Sequence, residues 1–380
     1  MLKDIARQLY AQFRTNHSFK GSLRWVARFK EHPDFRKGDI SENFGNQYEA
    51  TILKAQIREL LQDGEYNLDN VYNADSTVLM WKAVPEKTLL FEKSELSKSM
   101  GGEQVITILC ANATGCHKTH VLIINTMENF PSSSSFHTSV PSSMNKTNTK
   151  PLMDSDVFHQ WFNDCFLKSV IARQQKNGQR EKTLLLLHND GSDHENRIIS
   201  TKDKFVKIMY FSYDIAPLIQ PMDHGIIACF RRMYRIEFLE ILMPTSNSVS
   251  EEELIRVYSQ LNINDCCHMV KNAWWKVKNP ILKNAWDKLL KDESKQSHEE
   301  SEIITKDICE ALGKLSKIPG CGGCDSVAVM NWFETDKEHN TDIQVDIQDT
   351  LLDFINATMD MDPNELPEGS FENILDGRSS

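Results

Sequence analysis

An aspartate set inside an apolar, strand-like run is the tightest constraint on how this chain folds. The run is Tyr72-Asn73-Ala74-Asp75-Ser76-Thr77-Val78-Leu79-Met80-Trp81-Lys82, with aromatics at both ends. A carboxylate there is unfavourable unless a metal ion, a catalytic role or a buried ion pair accounts for it. Two later stretches are its natural partners. Leu184-Leu185-Leu186-Leu187 is an apolar run that ends in His188-Asn189-Asp190, and Gln220-Pro221-Met222-Asp223-His224-Gly225 is a turn that opens a long helix. The question they raise is whether three places far apart in the chain make one site.

Around these places residues 70–243 read as alternating strands and helices. Residues 71–82, 104–110 and 119–124 are strands, and their short links predict an antiparallel meander. Residues 154–175 are a helix, capped at Asp154-Ser155, with Val157, Phe158, Trp161, Phe162, Phe166 and Val170 as its buried stripe. Residues 183–187 and 205–211 are further strands. A long helix over 225–242 offers Ile226, Phe230, Met233, Tyr234, Ile236 and Leu239 for packing. Residues 131–150, rich in Ser, Thr, Asn and Pro, read as a surface loop.

The flanks differ in kind. Residues 1–38 read as two helices, the second running from Ser22 to about Glu31 and stopped by His32-Pro33. Residues 39–69 are a linker with a helix over 44–61 and a turn at Asp63-Gly64. Residues 244–332 look helical, with Trp274, Trp275, Ile281 and Trp286 anchoring a small core. Lys271, Lys276, Lys278 and Lys283 flank those tryptophans; such interleaving can bind single strands, although a solvated helix over a tryptophan core is the simpler reading. Residues 333–380 are acidic, with scattered apolar groups, and read as a largely disordered tail.

Charge follows the same division. The net charge of −11 argues against a uniformly nucleic-acid-binding surface. Yet residues 1–38 hold nine Lys/Arg against three Asp/Glu, and residues 334–380 hold thirteen Asp/Glu against two Lys/Arg. A basic head and an acidic tail point to a nucleic-acid contact at one end and a solvating or protein-partner segment at the other. No run of eighteen apolar residues suggests a membrane span. Met1-Leu2-Lys3-Asp4-Ile5-Ala6-Arg7 reads as an amphipathic helix rather than a signal peptide. The expectation is an intracellular protein whose nine cysteines are reduced.

The motifs together resemble the jerky and Tigger group of pogo-type transposase-derived proteins, related to centromere protein B. Tyr72-Asn73-Ala74-Asp75 with Trp81-Lys82, residues 110–118 (Cys-Ala-Asn-Ala-Thr-Gly-Cys-His-Lys), Trp161-Phe162, Leu184 to Leu187, and residues 220–227 carry the resemblance. The stretch from Phe19-Lys20-Gly21-Ser22 to Arg28-Phe29-Lys30 is similar to the last part of the family's DNA-binding domain. The likeness spans roughly residues 1–335. It implies an α/β, ribonuclease H-like mixed sheet flanked by helices, with a small N-terminal helix-turn-helix piece and a helical C-terminal region. It further implies a DDE-type endonuclease core in which three acids hold two metal ions. Asp75 matches the first acid and Asp223 the third. At the second place, where the family has Asp-Asn, this chain has His188-Asn189. Neighbouring positions depart as well: Ser76 and Val78 after the first acid, Gly191, Ser192, Asp193 and a displaced His194 after the second, and residues 211–214 (Phe-Ser-Tyr-Asp) before the third.

Imidazole suits zinc, copper or nickel better than magnesium, which takes oxygen ligands. Asp190 shares a strand face with His188 and could substitute, but it lies about 7 Å further along. The expectation is therefore no metal, or weak Mg²⁺ or Mn²⁺ binding by Asp75 and Asp223, and loss of cleavage. Lys20, Arg24, Arg28 and Lys30 are the expected phosphate contacts, with DNA as partner and the nucleus as location. Two alternatives stand beside this one: an active metal-dependent endonuclease, and a protein-interaction scaffold without DNA binding of its own. Three lesser signals have simpler readings. Cys321-Gly322-Gly323-Cys324 with Cys266-Cys267-His268 has partial zinc-site spacing, but a single CxxC is more simply two thiols in a turn. Ser192, Asp193 and His194 are adjacent in sequence, unlike a hydrolase triad. Gly101-Gly102 lacks a following phosphate motif.

Overall fold

A computed structural model of the chain describes residues 39–85, 104–125, 139–141, 155–178, 180–189, 198–200, 205–212, 215–243, 250–291 and 298–337. The chain divides into two units, Met1–Ala55 and Gln56–Ser380. In the first, the described residues belong to helix α1 (Asp39–Gln62), whose last residues enter the second unit.

The second unit is built on a seven-stranded mixed sheet in the order β4-β3-β2-β1-β5-β7-β6. Strands β1 (Val71–Met80), β2 (Gln104–Asn112) and β3 (Leu122–Asn125) form the expected antiparallel meander. Strands β5 (Thr183–Asn189) and β7 (Val206–Ser212) then add in parallel beside β1. The middle five strands, in the order 3-2-1 followed by two parallel additions, are the ribonuclease H-like core. Two short edge strands, β4 (Ser139–Pro141) and β6 (Ile198–Ser200), were not anticipated. The first falls inside the stretch expected to be only a loop. Three residues are too few to show any periodicity.

Nearly every residue of β1 and β2 is buried, as expected of central strands covered on both faces. On one face Tyr72, Ala74, Ile106, Ile108 and Cys110 pack with Leu185, Leu187 and helix α2. Helix α2 runs in three joined pieces, Ser155–Gln160, a π-helical Trp161–Leu167, and Lys168–Lys176. Its stripe of Val157, Phe158, Trp161, Phe162, Phe166 and Val170 is buried as the spacing predicts. On the other face Leu79, Val105, Leu109 and Ala111 meet helix α3 (Ile226–Leu242).

Outside α3 lie α4 (Glu251–Gln260), α5 (Ile263–Lys276), α6 (Asn279–Leu290), α7 (His298–Leu315) and α8 (Ser326–Glu334). These helices start where capping chemistry dictates. Ser250 accepts the Glu253 N–H, and Asn262 with Asp265 closes a reciprocal capping box. Gly115, with φ +70°, lets the β2–β3 link pass close to α6; a Cβ there would lie 3.2 Å from that of Leu282.

Two expectations need correction. Trp275 does not join the core: Trp274 and Trp286 are fully buried, whereas Trp275 is 48% exposed. Adjacent helical residues point about 100° apart, so one side of α5 cannot bury both. Ordered structure also continues past residue 333, into the expected acidic tail, through α8 and a 3₁₀ turn at Thr335–Lys337. All nine cysteines are free of disulfides. No described helix is long and apolar enough to cross a membrane.

Candidate functional site

Side chains alternate along a strand, so Asn73, Asp75 and Thr77 share one face of β1. That face lies beneath the start of α3, and each of the three polar groups finds its own partner there. The Asn73 amide donates to the Leu186 carbonyl at 3.0 Å, and its oxygen accepts the Met222 N–H at 2.9 Å. This ties β1 to β5 and to the 3₁₀ turn Pro221–Asp223. Thr77 Oγ1 accepts from Arg231 Nη2 at 2.6 Å.

Between them, Asp75 is almost fully enclosed. Its Oδ1 accepts the Ser76 N–H at 2.7 Å and faces His188 Nδ1 at 3.1 Å. Its Oδ2 accepts from Gln220 Nε2 at 2.8 Å. The same Gln220 nitrogen reaches Asp223 Oδ2 at 3.2 Å. One amide group therefore bridges the two carboxylates.

The topology explains the meeting. β1 and β5 run parallel with Asn73 opposite Leu186, so two residues further on Asp75 and His188 stand level. Gly225, with φ +102°, turns the chain out of the Pro221–Asp223 segment and into α3. That backbone region favours glycine. Sequence reasoning named Asp75, His188 and Asp223, and the structure brings all three together. It left out Gln220, Asn73 and Arg231. The period-two row of Asn73, Asp75 and Thr77 on one face of a largely apolar strand was the available signal that polar partners meet it. Asp190, Lys20, Arg24, Arg28 and Lys30 lie outside the described residues.

Charge in the site is unbalanced by environment. Asp223 lies at the site's mouth, with its surface more than a third exposed but its carboxyl crowded by neighbours. Desolvation, and then the Asp75 carboxylate, hold its pKa up at about 7; His188, Gln220 and Arg231 act in the opposite direction. A carboxyl whose folded pKa exceeds its unfolded one binds protons more tightly when folded, so its ionisation weakens folding as pH rises from about 4 to about 7. Asp223→Asn should therefore raise stability at pH 8 by roughly 1 kcal/mol, discounted for solvent screening. The gain should vanish below about pH 4. Urea unfolding of both proteins at pH 4 and pH 8 measures it, and an equal effect at both values would contradict the assignment.

The arrangement does not suit a pair of magnesium ions. Magnesium takes oxygen ligands, yet His188 presents an imidazole nitrogen to Asp75, and an amide N–H occupies the gap between the two carboxylates. Among the described residues no set of three or more His, Cys, Asp or Glu side chains is placed to hold a metal ion. Burial pushes the Cys266 thiol far up, Cys267 to about 11 and Cys321 to about 12, so with no metal bound these cysteines stand as thiols.

Comparison with known proteins agrees with the architecture. Residues 102–286 match the family model described as DDE superfamily endonuclease, which includes His188 and Asp223 and begins after β1. The human protein named "Tigger transposable element-derived protein 7" is 26% identical over 399 residues, covering 93% of this chain and 71% of that protein. The human "Jerky protein homolog" is 27% identical over 294 residues, covering 76% of this chain and 50% of its own length. The mouse "Jerky protein" is 26% identical over 339 residues, with 85% and 57% covered. The chain thus spans about half the length of these two jerky relatives. No solved structure matches it. With a ribonuclease H-like sheet, a DDE superfamily endonuclease match over residues 102–286 and relatives of this kind along most of its length, the chain is similar to the transposase-derived proteins of the jerky and Tigger group.

Proposed function

We propose that this protein is a nuclear DNA-binding protein whose endonuclease core no longer cleaves. The observation that carries the reading is the contact of His188 Nδ1 with Asp75 Oδ1 at 3.1 Å. A histidine stands where the resemblance places the second acid, and it occupies the first acid. Protonated, that imidazole supplies a positive charge that a metal ion would otherwise bring. Gln220 reinforces the closure by donating to both remaining carboxylates. The two carboxylates are thereby engaged by donors of the protein itself. DNA as partner is supported by the DDE superfamily match and by the nine Lys/Arg of residues 1–38, Lys20, Arg24, Arg28 and Lys30 among them.

One sample tests both halves. Labelled duplex DNA is incubated with the full chain in Mn²⁺, and binding and strand cleavage are read from the same mixture. The expected result is a retarded complex that weakens steeply with salt, with the DNA intact. Cleavage by the unmodified chain would remove the inactive-core reading, and absence of a complex at low salt would remove DNA binding. His188→Asp serves as the control. It restores a third carboxylate, so Mn²⁺ should raise the melting temperature of the variant but not of the parent.

A further inference from the structure

The outward-facing Trp275 is the feature that the core and the acid site leave unexplained. It is the largest side chain exposed among the described residues, at 48%, next to a fully buried Trp274. Its position is rigidly set. The Lys118 ammonium donates to the carbonyls of Trp274, Trp275 and Val277 at 2.9, 3.2 and 2.8 Å, which pins the end of α5. That ammonium lies 5.2 Å from the centroid of the Trp275 ring, and the His120 ring meets the indole edge-on at 6.3 Å. The indole is therefore held in place before any ligand arrives.

The charge around it is positive. Residues 263–291 hold six lysines against two aspartates in a chain of net charge −11. Lys271 lies one helical turn before Trp275 and so on the same face of α5. It is exposed, and it makes no ion pair with any described residue. Two acids that pair with this end of α5 are already engaged: Lys276 pairs with Glu237 and Glu240, and Lys314 also pairs with Glu240. Trp274 packs edge-on against Phe230 of α3, which places α5 on the sheet face that carries Asp75. A strand crossing Trp275 therefore runs on the same side of the sheet as the acid site.

We propose that Trp275 is a stacking platform for an unpaired base of single-stranded DNA, with Lys271 on the adjoining phosphate. The inference rests on the DNA-binding reading above and adds a contact within the endonuclease domain itself. An exposed indole offers a flat face that any base can cover, and a nearby lysine follows the backbone, so the site is tolerant of sequence. Duplex DNA keeps its bases stacked on one another and gains nothing from the indole.

The test measures the binding of the full chain to fluorescein-labelled oligo-dT of twenty nucleotides and to a duplex of equal length, by anisotropy at low salt. Trp275→Ala should weaken oligo-dT binding about tenfold, leave duplex binding unchanged, and keep the parent's circular dichroism. Trp275→Phe should recover most of the loss. Lys271→Ala should weaken oligo-dT binding and reduce its salt slope by about 0.7. Duplex binding together with equal oligo-dT affinity for the parent and Trp275→Ala would overturn this proposal and spare the DNA-binding reading. Equal weakening of both probes by Trp275→Ala would also overturn it. Failure of the parent chain to bind either probe would overturn both.

Discussion

Arg235→Met should lower the stability of the protein by about 3–5 kcal/mol, the loss expected when one member of a buried ion pair is removed. Arg235 and Asp336 are both fully buried. Arg235 Nη2 donates to both Asp336 oxygens at 2.8 and 2.9 Å, and Nη1 donates to the Met80 carbonyl at 2.7 Å. Asp336 Oδ1 in turn accepts the Met80 N–H at 2.7 Å. The pair therefore seals the end of β1 by satisfying both backbone groups of its last residue. It also fastens the turn after α8 to the centre of the sheet, with Trp332 adding a bond from its indole to the Ala83 carbonyl at 2.9 Å.

Methionine at 235 fills similar volume but leaves the Asp336 carboxylate without its cation and the Met80 carbonyl with only the Ala83 N–H, at 3.1 Å. The double variant Arg235→Met with Asp336→Leu removes the stranded charge and should recover more than half of the loss. Apolar replacement of a whole buried pair is often close to neutral. Guanidinium unfolding of the three proteins separates the terms. A single-variant loss below 1 kcal/mol would show that the pair does not hold β1 and the C-terminal helix together.

This pair also shows where sequence reasoning reached its limit. The helix over 226–242 was legible from its apolar spacing, and Ile226, Phe230, Tyr234, Ile236 and Leu239 are buried as that spacing requires. Arg231, Arg232 and Arg235 are buried in the same helix. Periodicity assigns charges to solvent by default, so nothing local distinguishes an arginine paired with Asp336, a hundred residues away, from a solvated one. The same limit applies to Asp336, which reads as one more acid of an acidic tail.

The acid site was easier to find because its members interrupt apolar elements. Asp75 in β1 and His188 at the end of β5 sit among buried aliphatic residues, and Asp223 stands in a turn before a long helix. What the sequence withheld was the arrangement: that Gln220 would bridge the carboxylates, and that the imidazole would face Asp75 rather than solvent. Those facts depend on the parallel register of β1 and β5, which follows from the whole sheet and not from any one stretch.

Lys118→Met should cost about 3 kcal/mol, because it removes the shared donor to three carbonyls at a helix end, of which only that of Trp274 keeps a backbone N–H, from Val277. Lys118 is 9% exposed and its ammonium is the common donor to the last carbonyls of α5. A cation at that end also meets the negative pole of the helix dipole. Its neighbour completes the clamp, since the Trp274 indole donates to the Thr119 carbonyl at 2.9 Å. Methionine keeps most of the stem's packing, so the loss reports on the ammonium rather than on a cavity. Burial draws the Lys118 pKa down to about 8, which still leaves the ammonium as the main form at pH 7.

Amide hydrogen exchange at pH 7 would localise the effect. In Lys118→Met, protection should fall first in the last two turns of α5 and at Val277, with the strands protected as before. The same variant frees the backbone beneath Trp275, so its oligo-dT affinity should fall together with that local protection while duplex binding persists. Uniform loss of protection through the sheet would mean that Lys118 supports the whole domain, and that the end of α5 is not a separately held element.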